Sequence, residues 1–313
     1  MNHFATTSVL SKLKQSITHT GALALLCAAP FSSAFATSLD LSNYTLTGTY
    51  NLPAITASEA SAVTYNWDTN SLFIVGDEGE YLVEVDLIGN QLSAMSLSGF
   101  GDTEGVTYLG GGEFVITEER LRDAFKLSYS ASSTANRSDL LSVDLGASVG
   151  NVGIEGISYD PRDGSFITVK ERLPQEVNQH MIDFDAGTSS TNSLFDPSSM
   201  PVIDVSDVQV LATAPSLIGT EDENNLLIIS QESAQLLEVN RNGDILSRFD
   251  FSGISDSAEG VTIGADGTIY IVDENGSSPR LFTLAPQVVP VPAAAWLFSS
   301  AILGLVGLRR RQQ

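Results

Sequence analysis

The sequence predicts an all-β fold, a five-bladed β-propeller closed by an N-terminal strand. Three observations carry that prediction. A short strand, a turn, a second strand and a terminal carboxylate recur five times along the chain. The acids that open the repeats, Glu59, Glu104, Glu155, Asp207 and Glu259, are spaced by 45, 51, 52 and 52 residues. A period near 50 made of short alternating strands marks propeller blades. Finally, the fifth repeat is one strand short while an orphan strand, Tyr44 to Tyr50, precedes the first. An N-terminal strand that completes the last blade covers an otherwise exposed edge and closes the ring.

Residues 1–36 read as an N-terminal signal peptide. Lys12 and Lys14 precede an apolar run from Gly21 to Ala29, and Ala34-Phe35-Ala36 has the small-x-small form of a cleavage site. The run is short for a bilayer span. The single cysteine, Cys27, falls inside this segment, so the domain that follows has no disulfide, thiolate metal site or cysteine nucleophile.

The propeller is expected over residues 37–286. In the first repeat, Ala62 to Trp67, Leu72 to Val75, Tyr81 to Leu87 and Gln91 to Leu97 read as four strands separated by turn residues. The fourth repeat has the same late pair, Gln235 to Val239 and Asp244 to Phe249, joined by Asn240-Arg241-Asn242-Gly243, where a glycine permits a positive-φ reversal. The fifth has Val261 to Ile263, Thr268 to Val272 and Arg280 to Leu284. The Ser/Thr/Asn-rich stretches Ser128 to Ser138 and Gly187 to Ser193 read as long loops within blades.

Charge narrows the functional classes. Acids outnumber bases 38 to 15, and five of the bases lie in the terminal segments, which leaves 10 bases against 38 acids and a domain charge of −28. So negative a surface repels nucleic acid and anionic lipid, and suits divalent cations. His180 is the one histidine of the domain, which excludes a histidine-rich metal site.

The repeat also locates candidate chemistry. Strands one and two of a blade form an antiparallel hairpin, so the start of the first and the end of the second lie at one end, and strand one lines the central channel. Glu59, Glu104, Glu155, Asp207 and Glu259 are therefore expected to ring one mouth of the channel. Glu78, Glu119, Glu171, Glu232 and Glu274 are expected one strand further out. Carboxylates so crowded raise one another's pKa unless a cation is bound, and an all-oxygen set fits calcium better than a transition metal. Arg120, Lys170 and Arg172 are the cationic residues beside this mouth and the candidates for binding a substrate. A plainer reading remains open for the inner ring: an acid before a glycine could hydrogen-bond the next blade's backbone.

Here the residues resemble a known family. The E-G-V/I strand starts, the strand ends Thr117-Glu118-Glu119-Arg120 and Val169-Lys170-Glu171-Arg172, and the variants Ser206-Asp207 and Ser230-Gln231-Glu232-Ser233 are similar to the SdiA-regulated (YjiK-like) propellers over about residues 43–285. The resemblance implies an extracytoplasmic propeller, phytase-like or NHL-like, with calcium-linked roles. It places the family's acidic positions on Glu104, Glu119, Glu155, Glu171, Asp207, Glu232, Glu259 and Glu274. The first repeat departs from the pattern, because Ala60-Ser61 follows Glu59.

Residues 287–313 form a separate module. Val289-Pro290-Val291-Pro292-Ala293 precedes an apolar run ending at Leu308, followed by Arg309-Arg310-Arg311. A helix would start after Pro292, and the 16 residues before Arg309 fall just below a full membrane span. The arginines would remain cytoplasmic and the propeller outside. The arrangement resembles the PEP-CTERM (VPLPA-like) sorting signals, which implies an exosortase-type processing enzyme as partner; a plain C-terminal anchor is the alternative.

Together these readings describe an exported, membrane-anchored or surface-displayed monomer that binds calcium as a scaffold or recognition module and does not bind nucleic acid. The alternative is a calcium-dependent hydrolase of phosphate esters or lactones, with metal-bound water as nucleophile.

Overall fold

A computed structural model of the chain describes residues 39–287, except 149, 151, 173 and 277. The expected signal peptide (1–36) and all of the expected C-terminal module except Gln287 lie outside the described residues. No helix among the described residues is long and apolar enough to cross a membrane.

The described chain forms five sheets. After β1 (Tyr44–Asn51), the first blade comprises β2 (Ala60–Asn66), β3 (Ser71–Gly76), β4 (Tyr81–Val85) and β5 (Gln91–Ser98). The second comprises β6 (Thr103–Gly110), β7 (Glu113–Glu118), β8 (Asp123–Ser128) and, after β9 (Thr134–Asn136), β10 (Leu141–Asp144). The third holds β11 (Gly156–Asp160), β12 (Ser165–Lys170), β13 (Glu176–Asp183) and β14 (Thr188–Phe195). The fourth holds β15 (Asp207–Val210), β16 (Leu226–Ser230), β17 (Gln235–Val239) and β18 (Ile245–Asp250). The fifth has β19 (Ala258–Ile263), β20 (Ile269–Asp273) and β21 (Arg280–Pro286), and β1 completes it. Pairing is antiparallel, with Tyr44 opposite Pro286 and Asn51 opposite Arg280. The predicted five blades and their closure by the N-terminal strand are therefore observed.

Two expected loops contain strands. Within Ser128 to Ser138, β9 leaves its own blade and pairs in parallel with β5 of the first blade. Gly187 to Ser193 lies mostly in β14, the outermost strand of the third blade. An outer strand has little surface to bury, so its ladder to β13 defines it where apolar alternation does not.

The inner strands are buried on both faces; β2, β3 and β16 are buried throughout. Their side chains fill the seams between blades. Phe73, Val75 and Leu82 of the first blade pack with Val106, Tyr108 and Phe114 of the second, and Val63, Tyr65 and Ile74 pack with Tyr270 and Val272 of the fifth. Innermost strands touch around the whole ring, β2 to β6 to β11 to β15 to β19 and back to β2.

A belt of side-chain hydrogen bonds follows the same circuit. The Tyr108 N–H donates to Thr64 Oγ1 (3.2 Å), the Tyr159 N–H to Thr107 Oγ1 (2.9 Å) and the Val210 N–H to Ser158 Oγ (2.9 Å). In the fourth blade Gln209 takes the place of the hydroxyl and accepts from Thr262 Oγ1 at 2.8 Å. Thr262 accepts the Tyr65 N–H at 3.0 Å, which returns the belt to the first blade. Four of these bonds satisfy a backbone N–H of an inner strand, and the Thr262–Gln209 bond links two side chains between them.

Close approach at the strand starts requires glycine. A Cβ on Gly156 would lie 2.7 Å from Asp207 Cα, and one on Gly260 would lie 2.9 Å from Ala62 Cα. The glycine after each inner acid thus serves blade-to-blade packing.

Candidate functional site

The strand pairings give the repeat its register. Gly105 faces Thr117, Gly156 faces Val169 and Gly260 faces Val272. At the same place Ala62 faces Val75 and Asp207 faces Ile229. The residue before each of these begins the inner ring, which is therefore Ser61, Glu104, Glu155, Ser206 and Glu259. The residue that follows strand two gives the outer ring: Asp77, Glu119, Glu171, Gln231 and Glu274. All ten line one cavity of about 190 Å³ at the mouth of the channel, together with Asp102 and Arg120.

Six of the eight expected metal-binding acids, Glu104, Glu119, Glu155, Glu171, Glu259 and Glu274, thus stand in this mouth. Asp207 and Glu232 do not. Asp207 occupies the glycine position of its blade; its carboxylate accepts the Val208 N–H (2.7 Å) and the Val261 N–H of the fifth blade (2.8 Å). It is a buried tie between blades. Glu232 lies one residue beyond the mouth position, ion-paired with Arg172 at a second cavity. Glu59 and Glu78 are likewise displaced by the first blade's register, and Ser61 and Asp77 take their places.

The cationic candidates also separate. Lys170, the last residue of β12, is 4% exposed, and its ammonium meets the Pro174 carbonyl (2.6 Å) and Glu176 (3.5 Å). Strand alternation turns it away from the face that Glu171 joins, and it does not line the mouth. Arg172 bridges Glu171 (2.6 Å) and Glu232. Arg120 lines the mouth and pairs with Asp102 at 2.9 Å.

Asp77 and Asp102 escaped the sequence reading. Asp102 precedes β6, is 7% exposed, and sits at φ +67°. Its N–H donates to the Asp77 carbonyl at 2.6 Å, and its own carbonyl accepts the Glu119 N–H at 3.0 Å. That knot draws its carboxylate to the others: Asp77, Asp102 and Glu104 can place one oxygen each within 4.8 Å of one another, as can Glu59, Asp77 and Glu78. A recurrent acid directly after strand two was the available cue for Asp77; Asp102 had none.

Electrostatics in the mouth follow from burial and crowding. Burial drives Glu104 far above the usual carboxylate range, with Asp77, Glu274, Asp102 and Glu119 adding to it. Burial, then Glu104 and Glu119, pushes Glu155 up to about 11. Burial, then Glu274 and Glu104, pushes Glu259 up to about 10. Glu171, Glu274, Asp77 and Asp102 are also raised, each chiefly by burial. In the metal-free protein part of this ring is therefore protonated at neutral pH, and a bound cation would displace those protons. The donor set is oxygen throughout, from carboxylates, hydroxyls and an amide, which fits a hard cation of variable coordination such as calcium.

Comparison with known proteins places the chain by sequence. The model of the SdiA-regulated family matches residues 36–284. Among solved structures, a luciferin-regenerating enzyme is 9% identical with a TM-score of 0.47, covering 76% of this chain and 95% of that one. The WD40 β-propeller domain of Doa1 is 13% identical with a TM-score of 0.46, covering 78% and 97%. Virginiamycin B lyase from Staphylococcus aureus is 13% identical with a TM-score of 0.41, covering 76% and 69%. At these identities and TM-scores nothing carries over from them to this chain.

Proposed function

The chain belongs to the SdiA-regulated family, and from that premise we propose that it is an exported propeller whose acidic mouth binds calcium and serves as a recognition module. The observation that carries this reading is the mouth itself: seven carboxylates of the two rings, with Asp102, around about 190 Å³. That space suits an ion with a few waters. Glu104, Glu155 and Glu259 would supply the inner ligands, with Asp77, Asp102, Glu119, Glu171 and Glu274 around them. Calcium takes six to eight such oxygens.

Export is supported by the form of residues 1–36, and a membrane or cell-surface location by the apolar, arginine-ended segment near the C-terminus, the proposed substrate of an exosortase-type enzyme. The positions of the ends accord with this. Pro286 pairs with Tyr44, and Leu284 pairs with Ile269 at the end of β20 opposite Glu274. A tether at the C-terminus would thus leave from the face opposite the mouth. The hydrolase alternative finds less support. Arg120 is the only cationic side chain on the mouth's wall among the described residues, and it is paired with Asp102. A phosphate ester needs several such groups.

The test is thermal unfolding of the propeller in calcium against sodium chloride of equal ionic strength. Calcium at about 100 times its dissociation constant adds roughly 2.7 kcal/mol of stability. The expected result is a calcium-specific rise in Tm that Glu155→Gln with Glu259→Gln removes. Equal shifts in the two salts would refute the site.

A further inference from the structure

Beside the acidic mouth lies a second, larger cavity. It holds about 600 Å³, and its lining includes Arg172, Pro174, Asp196, Val202, Ile203 and Glu232. The two cavities meet at consecutive residues. Glu171 and Gln231 face the mouth, while Arg172 and Glu232 face the groove. Arg172 sits on the boundary, 2.6 Å from Glu171 and paired also with Glu232.

The two spaces suit different guests. The mouth has room for an ion and little more, whereas the groove falls in the size range of small-molecule sites. The groove also presents an apolar anchor. Ile203 is 62% exposed, yet its backbone is fixed at both ends. Its N–H donates to Ser233 Oγ at 2.9 Å, and its carbonyl accepts Gln175 Nε2 at 2.7 Å. An isoleucine held rigidly in solvent beside Val202 and Pro174 loses little on gaining an apolar partner.

On the side of the mouth that adjoins the groove, one blade brings no acid to either ring. The fourth blade contributes Ser206 and Gln231, neutral side chains, in place of acids; the Ser206 hydroxyl donates to Asp204 at 2.9 Å, which leaves the Gln231 amide as the donor. An anionic group entering from the groove would meet the Gln231 amide, Arg172, and a cation held by the carboxylates of the other blades. Without the cation it would meet Glu171 and Glu232 and be repelled.

Resting on the calcium reading above, we infer that the recognised ligand is an apolar carboxylic acid. Its carboxylate lies at the boundary between the calcium ion and Arg172, and its apolar body lies in the groove against Ile203. The same chemistry is presented by a free acylated amino acid and by the C-terminal residue of a peptide.

Calorimetric titration of the propeller with N-acetyl-leucine, acetyl-Gly-Gly-Leu and N-acetyl-leucinamide separates the outcomes. In saturating calcium the two acids are expected to bind and the amide not; in chelator none binds. Tighter binding of the tripeptide identifies a peptide C-terminus, and equal or tighter binding of N-acetyl-leucine a small acid. Ile203→Asp and the milder Ile203→Ser should each weaken binding by about tenfold or more, equivalent to about 1.4 kcal/mol. Both should leave the calcium-specific rise in Tm unchanged. Binding that persists in chelator, that includes the amide, or that ignores both substitutions would overturn the inference, as would no binding in protein whose Tm responds to calcium. Absence of the calcium response itself would instead refute the calcium site.

Discussion

The Tyr65 amide donates to the Thr262 hydroxyl at 3.0 Å, and that hydroxyl donates in turn to Gln209 Oε1 at 2.8 Å. One side chain of the last blade thus joins the first blade to the fourth, at the place where a ring of separate sheets is closed only by contacts between sheets. Thr262 is 1% exposed, so water cannot replace it.

Thr262→Val keeps the shape and removes the hydroxyl. It leaves a buried amide and a buried amide oxygen unpaired, at a cost of about 1–3 kcal/mol for each group so stranded. Denaturant unfolding should show this loss, while Thr262→Ser should retain most of the stability.

Asp207 and Glu259 are expected to part in their behaviour. Asp207→Ala strands the Val261 N–H and should lower stability by about 1–3 kcal/mol, yet leave the calcium-specific rise in Tm intact. Glu259→Gln should diminish that rise and leave the metal-free fold as stable or more so, because it relieves crowding. A calcium response lost in Asp207→Ala would return that residue to the site.

The mouth fixes the sign of the pH dependence without metal. Glu155 and Glu259 have folded pKa values of about 11 and about 10, above the ordinary 4.5 of the unfolded chain. Between those limits the folded state holds more protons, so the stability they contribute is complete below 4.5 and is lost as pH rises toward 10. In chelator, stability is expected to fall between about pH 5 and pH 9. Saturating calcium should flatten or reverse that slope, and Glu155→Gln with Glu259→Gln should flatten it without calcium.

His180 imposes the opposite slope at acid pH. It is 1% exposed, between the hydroxyls of Thr168 (2.8 Å from Nε2) and Thr191 (2.9 Å from Nδ1). Burial, then the Arg122 charge, lowers its pKa from 6.5 to about 4. The unfolded state therefore binds the extra proton, and stability is lost as pH falls from 6.5 toward 4, by a total on the order of 3 kcal/mol. Nuclear magnetic resonance should find a neutral ring at pH 5, and His180→Gln should remove this part of the acid sensitivity.

The sequence by itself determined the number of blades, the closing strand and the face that carries the acids. These follow from a period of about 50 residues, from one spare and one missing strand, and from the geometry of a hairpin. The identity of the mouth residues was decided only by the tertiary structure. Successive residues of a strand point to opposite faces, so an offset of one position sends an acid to another surface. Asp207 stands where three other blades have glycine and ties two blades together; Gln231, not Glu232, and Asp77, not Glu78, reach the mouth; Lys170 turns away from it. The strands β9 and β14 were hidden for a related reason. Outer strands bury little, so their residues need no apolar alternation, and only hydrogen bonds to a neighbour reveal them. Asp102 reached the mouth through backbone bonds between the first two blades, contacts that have no local counterpart in the chain.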